Sequence, residues 1–252
     1  MQINSIYLIT LFLHVGFCLP AQELTQIPVA DFDKVIISPH IAANLIEGHE
    51  TSVEIISSSI SQDKINVKVQ GKTLRIYLDD AKVIPKSRRV KQSNWQGKQP
   101  MYQGAMAKVN ITYRILKSLS VRGEENVDCV SPIQREDFQL KIYGESDVHI
   151  TSMLVDEFRA TIYGEGDLQI DEGIVRHQSY VAYGESRIKA SNIKNDVTRI
   201  RAYGESNFKL NVSEYLKVTA FGEATVTYDG SPSVQKGIII GEAHIRRNES
   251  SL

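Results

Sequence analysis

The sequence predicts an all-β fold, a single-domain β-solenoid (β-helix-like) of stacked coils of about 20 residues. Three observations carry this. A Gly-Glu word recurs at Gly123, Gly144, Gly164, Gly184, Gly204, Gly222 and Gly241, in steps of 21, 20, 20, 20, 18 and 19 residues. Through each copy apolar residues alternate with polar ones, as in Leu140, Ile142, Val148 and Ile150 and then Ile162, Leu168 and Ile170; this is the period of a strand, not of a helix. Two residues beyond the Gly stand Ser146, Gly166, Ser186, Ser206, Ala224 and Ala243, small side chains that suit a tight corner over a crowded interior.

A coil of this length has a contour of roughly 65 Å at ~3.3 Å per residue, enough for two or three short strands joined by bends. Coils stacked at the ~4.8 Å spacing of hydrogen-bonded strands turn columns of the repeat into ladders. Before each Gly stand Tyr143, Tyr163, Tyr183, Tyr203, Phe221 and Ile240; after it always stands Glu, from Glu124 to Glu242. A strand running straight through the Gly puts both columns on the outward face, whereas a bend there breaks the parity.

From the start of the chain, Ile6 to Leu19 is an apolar run, too short to span a bilayer but suited to a secretory signal over residues 1–21, cleaved after Ala21 or Cys18. Residues 22–31 lead into the domain, 32–245. Removal of Cys18 leaves Cys129 alone on an inward position, where it reads as a small buried hydrophobe. Between Asp31 and Asp80 looser alternations at Lys34–Ile37, Val53–Ile56, Ile65–Val69 and Leu74–Leu78 read as the first, degraded coils of the same stack, roughly ten coils in all. Residues 81–107 break the pattern. Lys82, Lys86, Arg88, Arg89, Lys91 and Lys98, with Trp95 and two prolines, read as a long basic loop, either a solvated insertion or an anion site. A polar tail, 246–252, follows.

The segments FDKVIIS (Phe32–Ser38), VKVQGKTLRIYL (Val67–Leu78) and VNITYRILKSLSVRGEENV (Val109–Val127), followed by the Gly-containing repeats, resemble the putative auto-transporter adhesin, head GIN domain family from Phe32 to Ile245. The resemblance implies a bacterial envelope or secreted protein built as a β-solenoid with an adhesive role. It brings no catalytic residues. Glu after every repeat Gly departs from the family's usual small residue.

Function is then read from the ladders. The net charge of −1, with 42% hydrophobic and 23% charged residues, gives no reason to expect a nucleic-acid partner. The leading expectation is a noncatalytic exported module, periplasmic, secreted or on the cell surface. It would bind a glycan, another polymer or an envelope protein through a face of Tyr143, Tyr163, Tyr183, Tyr203, Glu145, Glu165, Glu185 and Glu205, with Lys86, Arg88, Arg89, Lys91 and Trp95 as a separate basic patch. Tyr rings on a straight face can stack on extended ligands, although stacked aromatics stabilise neighbouring coils in any case. A Glu column is solvated, paired with cations such as Lys141, Arg187, Lys189, Arg201, Lys209 and Lys217, or bridged by Ca²⁺; no other cofactor is expected. Carboxylates on adjacent coils also approach the ~5–5.5 Å of a retaining glycosidase pair, so a polysaccharide hydrolase or lyase is the alternative. A third reading is a structural envelope protein that self-associates through the solenoid ends.

Overall fold

The computed structural model describes residues 25–83, 87–92 and 95–248; the signal, Cys18 and Lys86 lie outside them. The strands β1 (Thr25–Pro28), β2 (Lys34–Ile37), β3 (Ile41–Glu47), β4 (Ser52–Ser58), β5 (Ile65–Gln70) and β6 (Thr73–Leu78) come first. A separate hairpin of β7 (Ser87–Gln92) and β8 (Trp95–Pro100) follows. Then β9 (Ala107–Tyr113), β10 (Ser118–Gly123) and β11 (Val127–Cys129) lead into the repeats. These are β12 (Ile133–Gly144), β13 (Asp147–Gly164), β14 (Asp167–Tyr183), β15 (Ser186–Ala190), β16 (Ile193–Asn211), β17 (Tyr215–Asp229) and β18 (Ser233–Arg247). The last strand runs two residues into the stretch read from sequence as tail.

The repeats pair in parallel and in register, so that Tyr143 lies beside Tyr163, Tyr163 beside Tyr183, and Gly204 and Glu205 beside Gly222 and Glu223. The alternation sets which side chains enter the coil, and its phase slips at the bends. In one turn Val148 and Ile150 are buried, then Met153 and Val155, then Phe158, Ala160 and Ile162, with outward residues in pairs at 151–152 and 156–157. The ladders break at those same places and again beside the Gly-Glu word, so each coil has three flanks around one apolar column. Side-chain size varies between layers: Leu140, Ala160 and Tyr180 share a column, as do Ile162, Ala182 and Ala202. Each fully buried aliphatic side chain contributes about 1.5–3 kcal/mol of transfer free energy.

At the Gly-Glu corner the glycines are forced. Gly184 has φ of +108°, and a Cβ there would lie 2.6 Å from the carbonyl oxygen of Gly164 in the coil below. Only a residue without Cβ allows this backbone approach. Crowding also explains the small residues two places on, because a Cβ on Gly166 would meet Ile142 Cγ2 at 2.8 Å. The first copy differs: Glu125 takes the small-residue place, is buried, and accepts a bond from the Glu124 amide at 3.0 Å.

The early strands are not successive coils. β2 lies between β6 and β10, and β3 between β9 and β11, so the turn formed by β6 and β9 sits beneath the turn formed by β2 and β3, which precedes it in the chain. Below, β5 on β6, β4 on β9 and β1 on β4 are antiparallel and close that end. Above this cap, among the described residues, the ladder holds seven coils with a Gly-Glu word and, beneath them, the two turns formed by β2/β3 and β6/β9, close to the roughly ten coils expected from sequence, with the antiparallel cap strands taking up the rest of the N-terminal segment. The basic stretch is also not an irregular loop: β7 and β8 form their own two-stranded sheet, with Gly97 opposite Val90 and Pro100 at the strand end opposite Ser87, an edge position where a missing amide is tolerated.

At the other end, among the described residues, β18 pairs only with β17. Its register shifts opposite Thr219, between Lys236 and Ile239, and Lys236 occupies the register place of the buried Val218. A bulge and a charge at an inward position are devices that blunt a sheet edge.

One corner holds a buried polar chain in the column of Phe138 and Phe158. Tyr180 Oη donates to Gln178 Oε1 at 2.9 Å, Gln178 Nε2 to Thr198 Oγ1 at 2.8 Å, and Thr198 Oγ1 to Asn195 Oδ1 at 2.6 Å. Asn195 Nδ2 ends it on the Val175 carbonyl at 2.8 Å.

Two stability measurements test this packing. Gly184→Ala is expected to cost more than about 2 kcal/mol in denaturant unfolding, whereas Gly71→Ala, at φ +60° with open space around it, costs about 1 kcal/mol. Gln178→Ala strands the Tyr180 hydroxyl and costs at least about 2 kcal/mol, more than the paired change Gln178→Leu with Tyr180→Phe, which removes both partners.

Candidate functional site

The parallel register builds both columns. The rings of Tyr143, Tyr163, Tyr183, Tyr203 and Phe221 stack at centroid separations of 4.9, 4.9, 4.7 and 5.0 Å, with neighbouring planes within 8° of parallel. The Arg122 guanidinium covers the first ring, 5.1 Å from the Tyr143 centroid. The column points outward, with Tyr163 40% and Tyr183 39% exposed. The faces of the inner rings are taken up by one another, however. A ligand laid along the column meets ring edges and hydroxyls, so the expected stacking of sugars on flat Tyr faces does not fit this geometry.

Past the bend at the Gly, Glu145, Glu165, Glu185 and Glu205 are exposed and outward. Parity thus survives the bend: Ile142 and Ser146 both point in, and Tyr143 and Glu145 both point out. Glu165, Glu185 and Glu205, with Ser186, Arg187 and Asn207, line a shallow depression of about 220 Å³. Of the alternatives for this row, pairing with nearby cations does not occur among the described residues. Among the described residues Glu145, Glu165, Glu185 and Glu205 make no ion pair, because Arg187 Nε is held by Asp167 Oδ1 at 2.8 Å and Oδ2 at 2.9 Å. Among the described residues no group of three or more His, Cys, Asp or Glu side chains is arranged to hold a metal ion. The four glutamates occupy equivalent exposed places, and a glycosidase acid and nucleophile require unlike ones.

The sequence pattern of a family described as putative auto-transporter adhesin, head GIN domain matches residues 31–232. The chain belongs to this family. The head GIN fold recurs in solved structures. A putative adhesin from Bacteroides fragilis is 20% identical, with a TM-score of 0.72 over 91% of this chain and 99% of its own. A putative adhesin from Parabacteroides distasonis is 17% identical, with a TM-score of 0.66 over 89% and 96%. A structure from the same organism, described as a putative lipid binding protein, is 17% identical with a TM-score of 0.62 over 90% and 96%. No curated protein matches the chain.

Elsewhere on the head GIN domain, Arg88, Arg89 and Lys91 lie on β7 and Trp95 opens β8, so the hairpin gathers this basic group on a sheet separate from the ladders. Cys129 is fully buried and its thiol is pushed up to about 12 by burial, which makes it inert packing. No helix among the described residues is long and apolar enough to cross a membrane.

Sequence reading missed a charge cluster on the flank beyond the Glu row. His149 bridges two neighbouring coils, with Nε2 2.7 Å from Asp171 Oδ2 and Nδ1 3.3 Å from Asp128 Oδ1. The bond to Asp171 holds the imidazole pKa above its ordinary 6.5. Asp171, bonded by Gln169 Nε2 at 2.9 Å and by His149, is held below its ordinary value. Spacing of one coil between Asp128 and His149, and between His149 and Asp171, is the signal that could have found it.

The sign of the pH effect follows. The raised His149 pKa gives stability that is complete below pH 6.5 and is lost as pH rises through the higher folded value; the lowered Asp171 pKa gives stability lost only in acid. The stability difference between the natural chain and His149→Gln should therefore be larger near about pH 5.5 than near about pH 8.5, and stay under about 1 kcal/mol because the site is partly exposed. Thermal unfolding at the two pH values checks it.

Proposed function

We propose that this head GIN domain is a noncatalytic adhesive module that works outside the cytoplasm and grips an extended polymer or glycan along its Tyr and Glu rows. The observation that carries the reading is the fixed repeat: hydroxyls of Tyr143, Tyr163, Tyr183 and Tyr203 recur with the 4.7–4.9 Å ring spacing beside an unpaired row of carboxylates. Such a surface offers donors and acceptors at one pitch to a chain lying along the solenoid axis. The contact is edge-on hydrogen bonding, individually weak at about 0.5–1.5 kcal/mol net and additive only through length. Adhesin family membership and the adhesin-described neighbours support the role. The equivalence of the glutamates supports the noncatalytic reading over a hydrolase, and the blunted edge of β18 favours a foreign ligand over assembly through that end.

The test separates hydroxyl from ring. Tyr163→Phe with Tyr183→Phe keeps the stack, and Glu165→Gln with Glu185→Gln keeps the corner. On a glycan array each pair is expected to lose at least about tenfold of the signal of the natural chain at unchanged melting temperature. A signal that survives both pairs removes the ladder as the binding face, and resistance of the protein to protease on intact cells removes its display at the surface.

A further inference from the structure

The flank that carries the Tyr column changes character towards β18. Arg199 and Arg201 project from β16 two residues apart, and Lys217 lies beside Arg199 in the next coil. With Tyr203, Thr219, Phe221, Gly237 and Ile238 they line a groove of about 600 Å³, and no carboxylate lines it. Among the described residues none of the three cations makes an ion pair.

Lower in the column of Arg199, Arg159 pairs with Asp137 at 3.7 Å and Glu157 at 3.6 Å, whereas Arg199 and its neighbour Lys217 make no ion pair among the described residues. Three like charges held on adjacent coils repel one another, and a free protein gains nothing from the arrangement. An anion placed between them reverses the sign. The shape of the groove also has a specific origin. The register shift of β18 opposite Thr219 inserts Gly237 and Ile238, and that bulge lines the groove. Phe221 is the last ring of the stack, between Tyr203 on one side and Ile240 of β18 on the other, and with Ile238 it gives the groove an apolar wall.

We infer that this groove binds an acidic polysaccharide, with carboxylate or sulfate groups held by Arg199, Arg201 and Lys217 and a sugar ring against Phe221. Guanidinium groups bind such oxyanions through paired N–H donors, and Phe221 and Ile238 give the groove an apolar wall against which the C–H face of a sugar can rest. The site stands on its own residues; it shares Tyr203 with the ladder but does not require hydroxyl contacts along it. It names a charge class for the ligand where the ladder reading names none.

The test uses the full chain with polygalacturonate and heparin as carboxylate and sulfate probes, dextran as the neutral polymer, and phosphatidylglycerol vesicles as a lipid source of the same charge. In about 50 mM NaCl the acidic polymers are expected to bind at least about tenfold tighter than dextran or vesicles, and to release as salt rises. Arg199→Ala with Lys217→Ala should lose at least about tenfold of that affinity with little change in melting temperature. Lys189→Ala with Lys209→Ala, two exposed cations on another flank, should leave it unchanged, as should Tyr163→Phe with Tyr183→Phe, so failure of the ladder reading and failure of this one are distinguishable. Equal binding to vesicles, equal loss from the control lysines, retention after the Arg199 and Lys217 changes, or no binding to either acidic polymer overturns the proposal.

Discussion

The constraint on which the stack depends is backbone on backbone, where from Gly144 onward each repeat glycine rests on the carbonyl of the glycine in the coil below. A Cβ on any of Gly144, Gly164, Gly184, Gly204, Gly222 or Gly241 would come within 3.0 Å of that oxygen. The contact fixes the register of every coil at one point, and the period-two alternation carries that register along the flanks. Core columns, the Tyr stack and the Glu row all inherit it. A slip of one residue would bury the tyrosines and expose Ile142 and Ile162, so the ladders are consequences of the corner and not separate inventions.

What stabilises the flanks differs from layer to layer. Phe138 stacks on Phe158 at 5.9 Å, and Phe158 meets Tyr180 edge-on at 6.0 Å. In the same column the next coils carry Gln178 and Thr198, which are satisfied only through Tyr180 and Asn195. A buried polar chain that is fully bonded specifies one arrangement, since any other leaves a donor without a partner. It sits midway along the stack, between aromatic packing on one side and the aliphatic Leu216 on the other.

The fold was legible because its signal repeats: seven Gly-Glu words and the small residues at Ser146, Gly166 and Ser186 all describe the same corner. The N-terminal part was misread because alternation marks a strand but not its partner, and β4 and β5 alternate as regularly as coil strands while pairing antiparallel in the cap. Gln178 was invisible because a polar residue at an inward phase looks outward in a pattern. For the candidate site, the columns could be read from sequence, but the use of the Tyr faces could not, because whether rings stack on each other or on a ligand depends on side-chain planes. The groove beside Arg199 depends on a bulge at Gly237 that breaks the repeat locally, and a local break reads as noise.

Lys236 and the bulge beside it give the object a direction. One end is shut by antiparallel strands and the other carries a charge where the column of Ile200 and Val218 would continue, features that disfavour growth into a fibre by end-to-end addition. On the proposed adhesive reading, holding strength then scales with how many copies are presented side by side, each contributing one short contact to the total avidity.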